Sequence, residues 1–201
     1  MTTQPGERKR QILQTLAEML EHPAPEKITT AALAARLQVS EAALYRHFAS
    51  KAQMYEGLIE FIEQTLLGLV NKIAAEETGG LRQLEQSLAL MLGFARKNPG
   101  MTRVLTGDAL VHENPRLQSR VNQLHDRLEA SLKQSLRFAA SQGEIAADGD
   151  AAGLANLLLS FAAGRWQQFA KSGFKRDPLE YWPTQWGCLR AALGNDPRNL
   201  G

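Results

Sequence analysis

The sequence predicts an all-α protein, on three observations. Apolar residues recur at three- and four-residue spacing along nearly all of the 201 residues, the spacing that gives a helix one buried face. No run shows the apolar–polar alternation of a half-buried strand. Prolines, glycines and short polar capping residues fall between the periodic stretches, where helices start and stop.

The first stretch, Glu7 to Glu21, sets Ile12, Leu13, Leu16, Met19 and Leu20 at helical spacing, and His22-Pro23-Ala24-Pro25 should stop it, because each proline lacks a donor and restricts the residue before it. Thr29 is the expected N-cap of a short run through Ala31, Leu33, Ala34 and Leu37, and Ser40 that of a second short helix, Glu41 to Phe48. Ser50 opens a longer element, Lys51 to Glu76, with Met54, Leu58, Phe61, Ile62, Leu66, Leu69, Val70 and Ile73 on its apolar face. Thr78-Gly79-Gly80 breaks that pattern, Leu81 to Lys97 resumes it, and Asn98-Pro99-Gly100 is a turn signal. A short segment, Met101 to Val111, precedes Asn114-Pro115, and Arg116 to Ser141 repeats Val121, Leu124, Leu128, Leu132 and Leu136 on one stripe. Gln142-Gly143 and Asp148-Gly149 separate it from Ala151 to Lys171, which is apolar on most sides. After Ser172-Gly173, a last helix is expected over Asp177 to Leu193, with Asp177 as cap and Pro178 in the first turn.

Composition excludes several classes. At 44% hydrophobic and 22% charged the chain is neither disordered nor fibrous. No apolar run approaches the roughly 18–20 residues of a membrane span, and Met1 to Arg10 is polar, without an apolar signal core. One cysteine, Cys188, can form neither an internal disulfide nor a zinc site alone, so a reducing cytoplasm is expected. A net charge of +2 is too small to imply nucleic acid by itself. His22, His47, His112 and His125 have no partners at metal or triad spacing, and no glycine-rich phosphate loop occurs. No catalysis, cofactor or metal is therefore expected, and His112-Glu113 reads as a solvated helix start.

Helices as short as the Thr29–Phe48 pair are marginal in isolation and persist where a use requires them, as in a helix-turn-helix. Leu33, Ala34, Leu37, Val39 and Leu44 would hold the pair together with Phe48 behind, leaving Ser40, Glu41, Ala42, Ala43, Arg46 and His47 facing outward. Spacing alone leaves an ordinary helical hairpin equally open.

Thr29-Thr30-Ala31-Ala32-Leu33-Ala34, Val39-Ser40, Leu44-Tyr45-Arg46-His47-Phe48 and Ser50-Lys51 resemble the N-terminal signature of TetR-family regulators, over roughly Glu7 to Leu58. The resemblance implies an N-terminal three-helix DNA-binding domain over residues 1–52 and a helical C-terminal domain over 53–201 for dimerisation and partner binding. It implies phosphate contacts from Thr29, Tyr45, His47 and Lys51, base contacts from Ser40, Glu41, Ala42 and Ala43, and a place for Thr30 in the same DNA-binding set. Arg8, Lys9 and Arg10 would form a basic arm before the first helix. One departure is Gln38, where the family usually carries glycine in the turn.

Beyond the signature, Leu58-Ile59-Glu60-Phe61-Ile62-Glu63, Gly93-Phe94-Ala95-Arg96-Lys97-Asn98-Pro99-Gly100 and Thr102-Arg103-Val104-Leu105-Thr106-Gly107 resemble one branch of that family, the nucleoid-occlusion factors. This resemblance implies a nucleoid-associated homodimer that binds specific duplex DNA and antagonises polymers of the division protein FtsZ. The matching FtsZ-facing positions are Phe61, Leu90, Gly93, Lys97 and Asn98, with Leu69 where the branch tends to carry arginine. The alternative is a ligand-responsive TetR-type repressor. Separately, the apolar last two long helices point to a four-helix dimer interface through Ala162, Gly164, Trp166, Phe169, Trp182 and Trp186.

Overall fold

A computed structural model describes residues 5–22, 28–146 and 149–194, and every regular element among them is helical. In order they are α1 (Pro5–Leu20), α2 (Thr30–Arg36), α3 (Glu41–Tyr45), α4 (Lys51–Glu76), α5 (Gly80–Lys97), α6 (Pro99–Leu105), a 3₁₀ turn (Asp108–Leu110), α7 (Pro115–Ser141), α8 (Ala151–Lys171) and α9 (Trp182–Gly194). The Pro23-Ala24-Pro25 stop and Asp148 lie outside the described residues.

Capping side chains set several of the starts. Thr29 Oγ1 accepts from the Ala32 amide at 3.1 Å, Ser40 Oγ from Ala43 at 3.3 Å and Ser50 Oγ from Gln53 at 3.2 Å. Asp150 accepts from the amides of Ala152 and Gly153, each at 3.0 Å. Each satisfies a donor that the first turn of a helix leaves without a partner.

Two elements are shorter than expected. The second short helix ends at Tyr45, after which the His47 and Phe48 amides both turn back to the Leu44 carbonyl. The last helix starts at Trp182, preceded by turns over residues 178–181. The carbonyls of Asp177 and Pro178 accept from the guanidinium of Arg165 at 2.7 and 3.2 Å, and that of Asp177 also accepts from the Glu180 amide at 3.2 Å, a turn rather than a helical bond.

The chain forms two compact units, neither a single block of sequence: residues 1–62 with 98–122, and residues 63–97 with 123–201. In the first, α1, α2, α3 and the start of α4 bury Ile12, Leu16, Leu20, Leu33, Leu44, Met54, Tyr55 and Leu58. Gly100 of α6 belongs to this packing: a Cβ there would stand 1.9 Å from the Ala17 carbonyl oxygen, so α6 reaches α1 only without a side chain. In the second, Leu84, Leu88, Met91 and Leu92 of α5 are buried with Leu128, Leu132 and Leu136 of α7 and Leu158 and Trp166 of α8. Gly80 permits the approach of α5 to Ala139 of α7, whose backbone nitrogen lies 2.3 Å from the position of a Cβ.

The turn between α2 and α3 adopts the geometry that favours glycine. Gln38 has φ 55°; its amide bonds to Ala35 and that of Val39 to Ala34, each at 3.0 Å, the paired closure of a helix ending in a left-handed residue. A side chain there costs about 1–2 kcal/mol, partly offset because glycine gains more freedom in the unfolded chain. Gln38→Gly is expected to stabilise the protein by about 0.5–1 kcal/mol, measured as a higher urea midpoint at unchanged slope. A lower midpoint would mean that the glutamine side chain contributes more than the strain removes.

Candidate nucleic-acid interface and partner surface

In the first unit, α3 presents Ser40, Glu41 and Ala42 as exposed residues at its N-terminal end, with Ala43 half-buried behind them. Thr30 Oγ1 donates to Glu41 Oε2 at 2.5 Å, and the Tyr45 hydroxyl donates to Thr30 Oγ1 at 3.4 Å. This side-chain chain fixes the angle between α2 and α3 while leaving the second carboxylate oxygen of Glu41 available. Thr29 is exposed at the N-terminus of α2. Its oxygen accepts from Ala32, so its O–H can donate to an anion where amides and helix dipole favour one. Tyr45 is 45% exposed and His47 half-buried, both at the C-terminal side of α3.

Three expectations change. Arg8, Lys9 and Arg10 are not an arm before the first helix; they lie within α1, because helical bonding already begins at Pro5. Arg8 donates to Gln11 one turn on, and the Lys9 ammonium sits 5.7 Å from the centre of the Phe48 ring. Lys51 is held inside the unit: its ammonium pairs with Glu113 at 2.5 Å and lies 5.7 Å from the Tyr55 ring centre. Glu113 is therefore no solvated helix start, its side chain being 11% exposed. It also helps to push the Tyr55 hydroxyl far above its ordinary range, after burial, the larger cause.

The partner-facing candidates occupy outward stripes. Phe61 and Leu69, placed by periodicity on the apolar face of α4, are 43% and 41% exposed. Leu90 and Gly93 are half-buried on α5 and Lys97 is exposed at its C-terminus, three- and four-residue steps along one stripe. Asn98 precedes α6 and its carbonyl accepts from the Thr102 amide and hydroxyl at 2.9 and 3.0 Å.

The dimer candidates separate into two groups. Ala162 and Trp166 are 0% exposed within one chain, Phe169 4% and Trp186 7%. The Trp166 Nε1–H donates to the Met91 carbonyl at 3.1 Å. These four are core of the second unit and offer no area to a partner. Gly164 is exposed, with open space where a Cβ would stand, and Trp182 is half-buried, stacked on Trp186 at 5.7 Å. The exposed side of α8 also carries Leu157, 49% exposed, and that of α9 carries Gly187 and Cys188. Periodicity missed Leu157 because α8 has apolar residues on nearly every side.

A cleft of about 310 Å³, partly open to solvent, lies between α7 and the start of α8, lined by Lys133, Leu136, Arg137, Ile145 and Leu154 among others. Among the described residues no cluster of His, Cys, Asp or Glu could hold a metal ion, and no helix is long and apolar enough to cross a membrane.

Residues 12–58 match the model of bacterial regulatory proteins of the tetR family, and residues 78–194 that of the tetracyclin repressor-like, SlmA-like C-terminal domain. The chain is 51% identical over 193 residues to the nucleoid occlusion factor SlmA of Idiomarina loihiensis, covering 96% of this chain and 98% of that one. With SlmA of Marinomonas it shares 47% over the same coverage. Among solved structures, the fatty acid degradation regulator FadR of Bacillus halodurans has a TM-score of 0.79 at 12% identity, covering 98% of this chain and 99% of its own. A TetR regulator of Haloarcula marismortui has 0.78 at 15%, covering 94% and 100%. Those two establish the fold. With the helix-turn-helix geometry above, and identity near one half carried through the C-terminal helices, the chain belongs to the SlmA family of TetR-type DNA-binding proteins and is not an enzyme.

Proposed function

We propose that this protein is a nucleoid-occlusion factor that binds specific duplex DNA sites as a homodimer and, when DNA-bound, engages FtsZ and antagonises its polymers, blocking division-ring assembly over the chromosome. The observation that carries this reading is the identity near one half over 96% of the chain with SlmA proteins. It extends through the C-terminal helices, which ligand-sensing regulators adapt to their own ligands. The exposure of Phe61 adds support, since an aromatic ring 43% exposed on a long helix is available to a partner.

Residues 1–52 are assigned DNA contact and 53–201 dimerisation and partner binding. Thr29, Thr30, Tyr45 and His47 are assigned to phosphates, and Ser40, Glu41, Ala42 and Ala43 to base edges, where the glutamate can accept from a cytosine amino group and the alanine methyls can meet thymine methyls. Arg8, Lys9 and Arg10 act from the surface of α1, and Lys51 only after loosening its pair with Glu113. Phe61, Leu90, Gly93, Lys97 and Asn98 form the FtsZ-facing set, in which Lys97 attracts an acidic segment. Dimer contact falls to the exposed positions Leu157, Gly164, Gly187 and Cys188 and the half-buried Trp182, small residues and an anchor suited to close helix approach.

Thr29→Ala is expected to weaken binding to all duplex sequences alike, by about 1 kcal/mol per site, read by fluorescence anisotropy on cognate and scrambled duplexes. Unchanged affinity, or loss confined to the cognate duplex, contradicts the phosphate role. For the dimer, Leu157→Glu should give a folded monomer in sedimentation velocity. Trp166→Ala should instead lower stability by about 3–5 kcal/mol. A dimeric Leu157→Glu protein would place the interface elsewhere.

The test of the whole reading is FtsZ polymer sedimentation with GTP, with this protein present and duplex DNA carrying its preferred site added or withheld. DNA-dependent loss of polymer is expected, and Lys97→Glu should abolish it while leaving DNA affinity intact. Full polymer at saturating protein and DNA would return the chain to the class of conventional TetR-type repressors.

A further inference from the structure

We infer that the loop between α8 and α9 completes the docking surface at the C-terminal end of α5, and that Lys175 and Arg176 on it, with Lys97, bind an acidic peptide segment. The inference rests on the proposed partner reading for its probe, and on the geometry of the second unit for the residues it adds.

The loop is seated against the outer stripe of α5. Asp177 Oδ2 accepts from Arg96 Nη1 at 3.5 Å, and Leu179 Cδ1 lies 3.9 Å from where a Cβ would stand on Gly93. Arg176 thus directly precedes the residue paired with Arg96, and Lys97 directly follows Arg96. The same stripe carries Leu90 and Gly93, already assigned to the partner.

The loop is also built to hold one conformation. The guanidinium of Arg165, 9% exposed, donates to the carbonyls of Asp177 and Pro178. Ser172 Oγ accepts from the amides of both Lys175 and Arg176, at 3.1 and 3.0 Å. Phe174 takes φ 65° and packs its ring 5.2 Å from that of Phe169. A buried arginine spent on two loop carbonyls, and a non-glycine residue kept left-handed, fix where the two neighbouring cations project. A surface ordered before binding loses less entropy on binding.

Charge selects the occupant. Residues 96–97 and 171–180 hold five basic side chains, Arg96, Lys97, Lys171, Lys175 and Arg176, against two acidic ones, Asp177 and Glu180. Asp177 is engaged, its Oδ1 accepting from the Leu179 amide at 2.9 Å and its Oδ2 from Arg96. Lys97, Lys175 and Arg176 are exposed and enter no ion pair among the described residues. Three cations without acidic partners around a glycine-lined stripe suit a carboxylate-rich peptide. A duplex is the weaker candidate, since the assigned DNA contacts all lie in the other unit.

The test uses the full-length protein on its cognate duplex and a labelled acidic C-terminal peptide of FtsZ, followed by anisotropy at several salt concentrations. Lys175→Glu/Arg176→Glu is expected to raise the peptide Kd at least about tenfold and flatten its salt dependence, with duplex affinity unchanged. Lys175→Arg/Arg176→Lys should bind as the parent does. A reversed-charge variant that binds the peptide within twofold of the parent, while Lys97→Glu does not, overturns the loop's role and leaves the FtsZ reading standing. A parent protein that fails to bind the peptide overturns both. A reversed-charge variant that loses duplex affinity in equal measure assigns the loop to DNA and also overturns the proposal.

Discussion

The first compact unit depends on one buried cation. Arg103, 5% exposed on α6, donates to Asp108 at 2.7 Å and to the carbonyls of Leu20 and His22 at 3.2 and 3.4 Å. A helix end leaves its last carbonyls without partners and carries partial negative charge. Arg103 answers both at the end of α1, and its own charge is balanced by Asp108. The contact exists only because Gly100, three residues earlier, lets the α6 backbone lie on Ala17. Removing the arginine would take this donor from the carbonyls of Leu20 and His22 and the countercharge from Asp108. The position of α6 is therefore set by electrostatics as much as by packing.

A similar logic keeps α2 and α3 in place. Helices of seven and five residues have too few internal bonds to persist alone. Caps from Thr29 and Ser40 supply the missing acceptors, and the Tyr45–Thr30–Glu41 chain ties the two helices side to side. Leu33 and Leu44, each 1% exposed, supply the apolar contact below. The start of α4 is fixed in turn by Lys51 on Glu113. The residues assigned to DNA thus sit on elements whose geometry is over-determined, and the strain at Gln38 can persist because its neighbours hold the turn.

What the sequence made legible follows from the range of each interaction. The ends of α4 and α8 were readable to the residue, because Ser50, Thr78-Gly79-Gly80 and Ser172-Gly173 act within one turn of themselves. The placing of Leu90 and Gly93 on the partner surface came from the family resemblance, since helical spacing alone fits Leu90 equally to the core. The Lys51–Glu113 pair joins residues far apart in sequence, so nothing local distinguished that lysine from a free phosphate ligand. Trp166 failed for another reason: on a helix apolar on most sides, hydropathy cannot tell a face that meets the same chain from one that meets a second copy. The late start of α9 was hidden because the carbonyls of Asp177 and Pro178 accept from Arg165, which lies on another helix.

The division of the chain bears on how DNA occupancy can reach a partner. Phe61 and Asn98 belong to the same compact unit as α2 and α3, whereas Leu90, Gly93 and Lys97 belong to the other. Phe61 lies on the continuous helix that Ser50 caps just after the recognition segment, about 15 Å along it at 1.5 Å per residue. Asn98 opens α6, which Arg103 and Gly100 fix to α1. A shift of α1 or α4 on DNA would therefore be transmitted to both residues through helices and a buried ion pair, not through a flexible linker. Lys97 adjoins Asn98 by one peptide bond, so the chain itself couples the two parts of the assigned surface. Within the first unit, then, the elements that carry the DNA-assigned residues and those that carry Phe61 and Asn98 are joined by helix and by the Arg103 contacts.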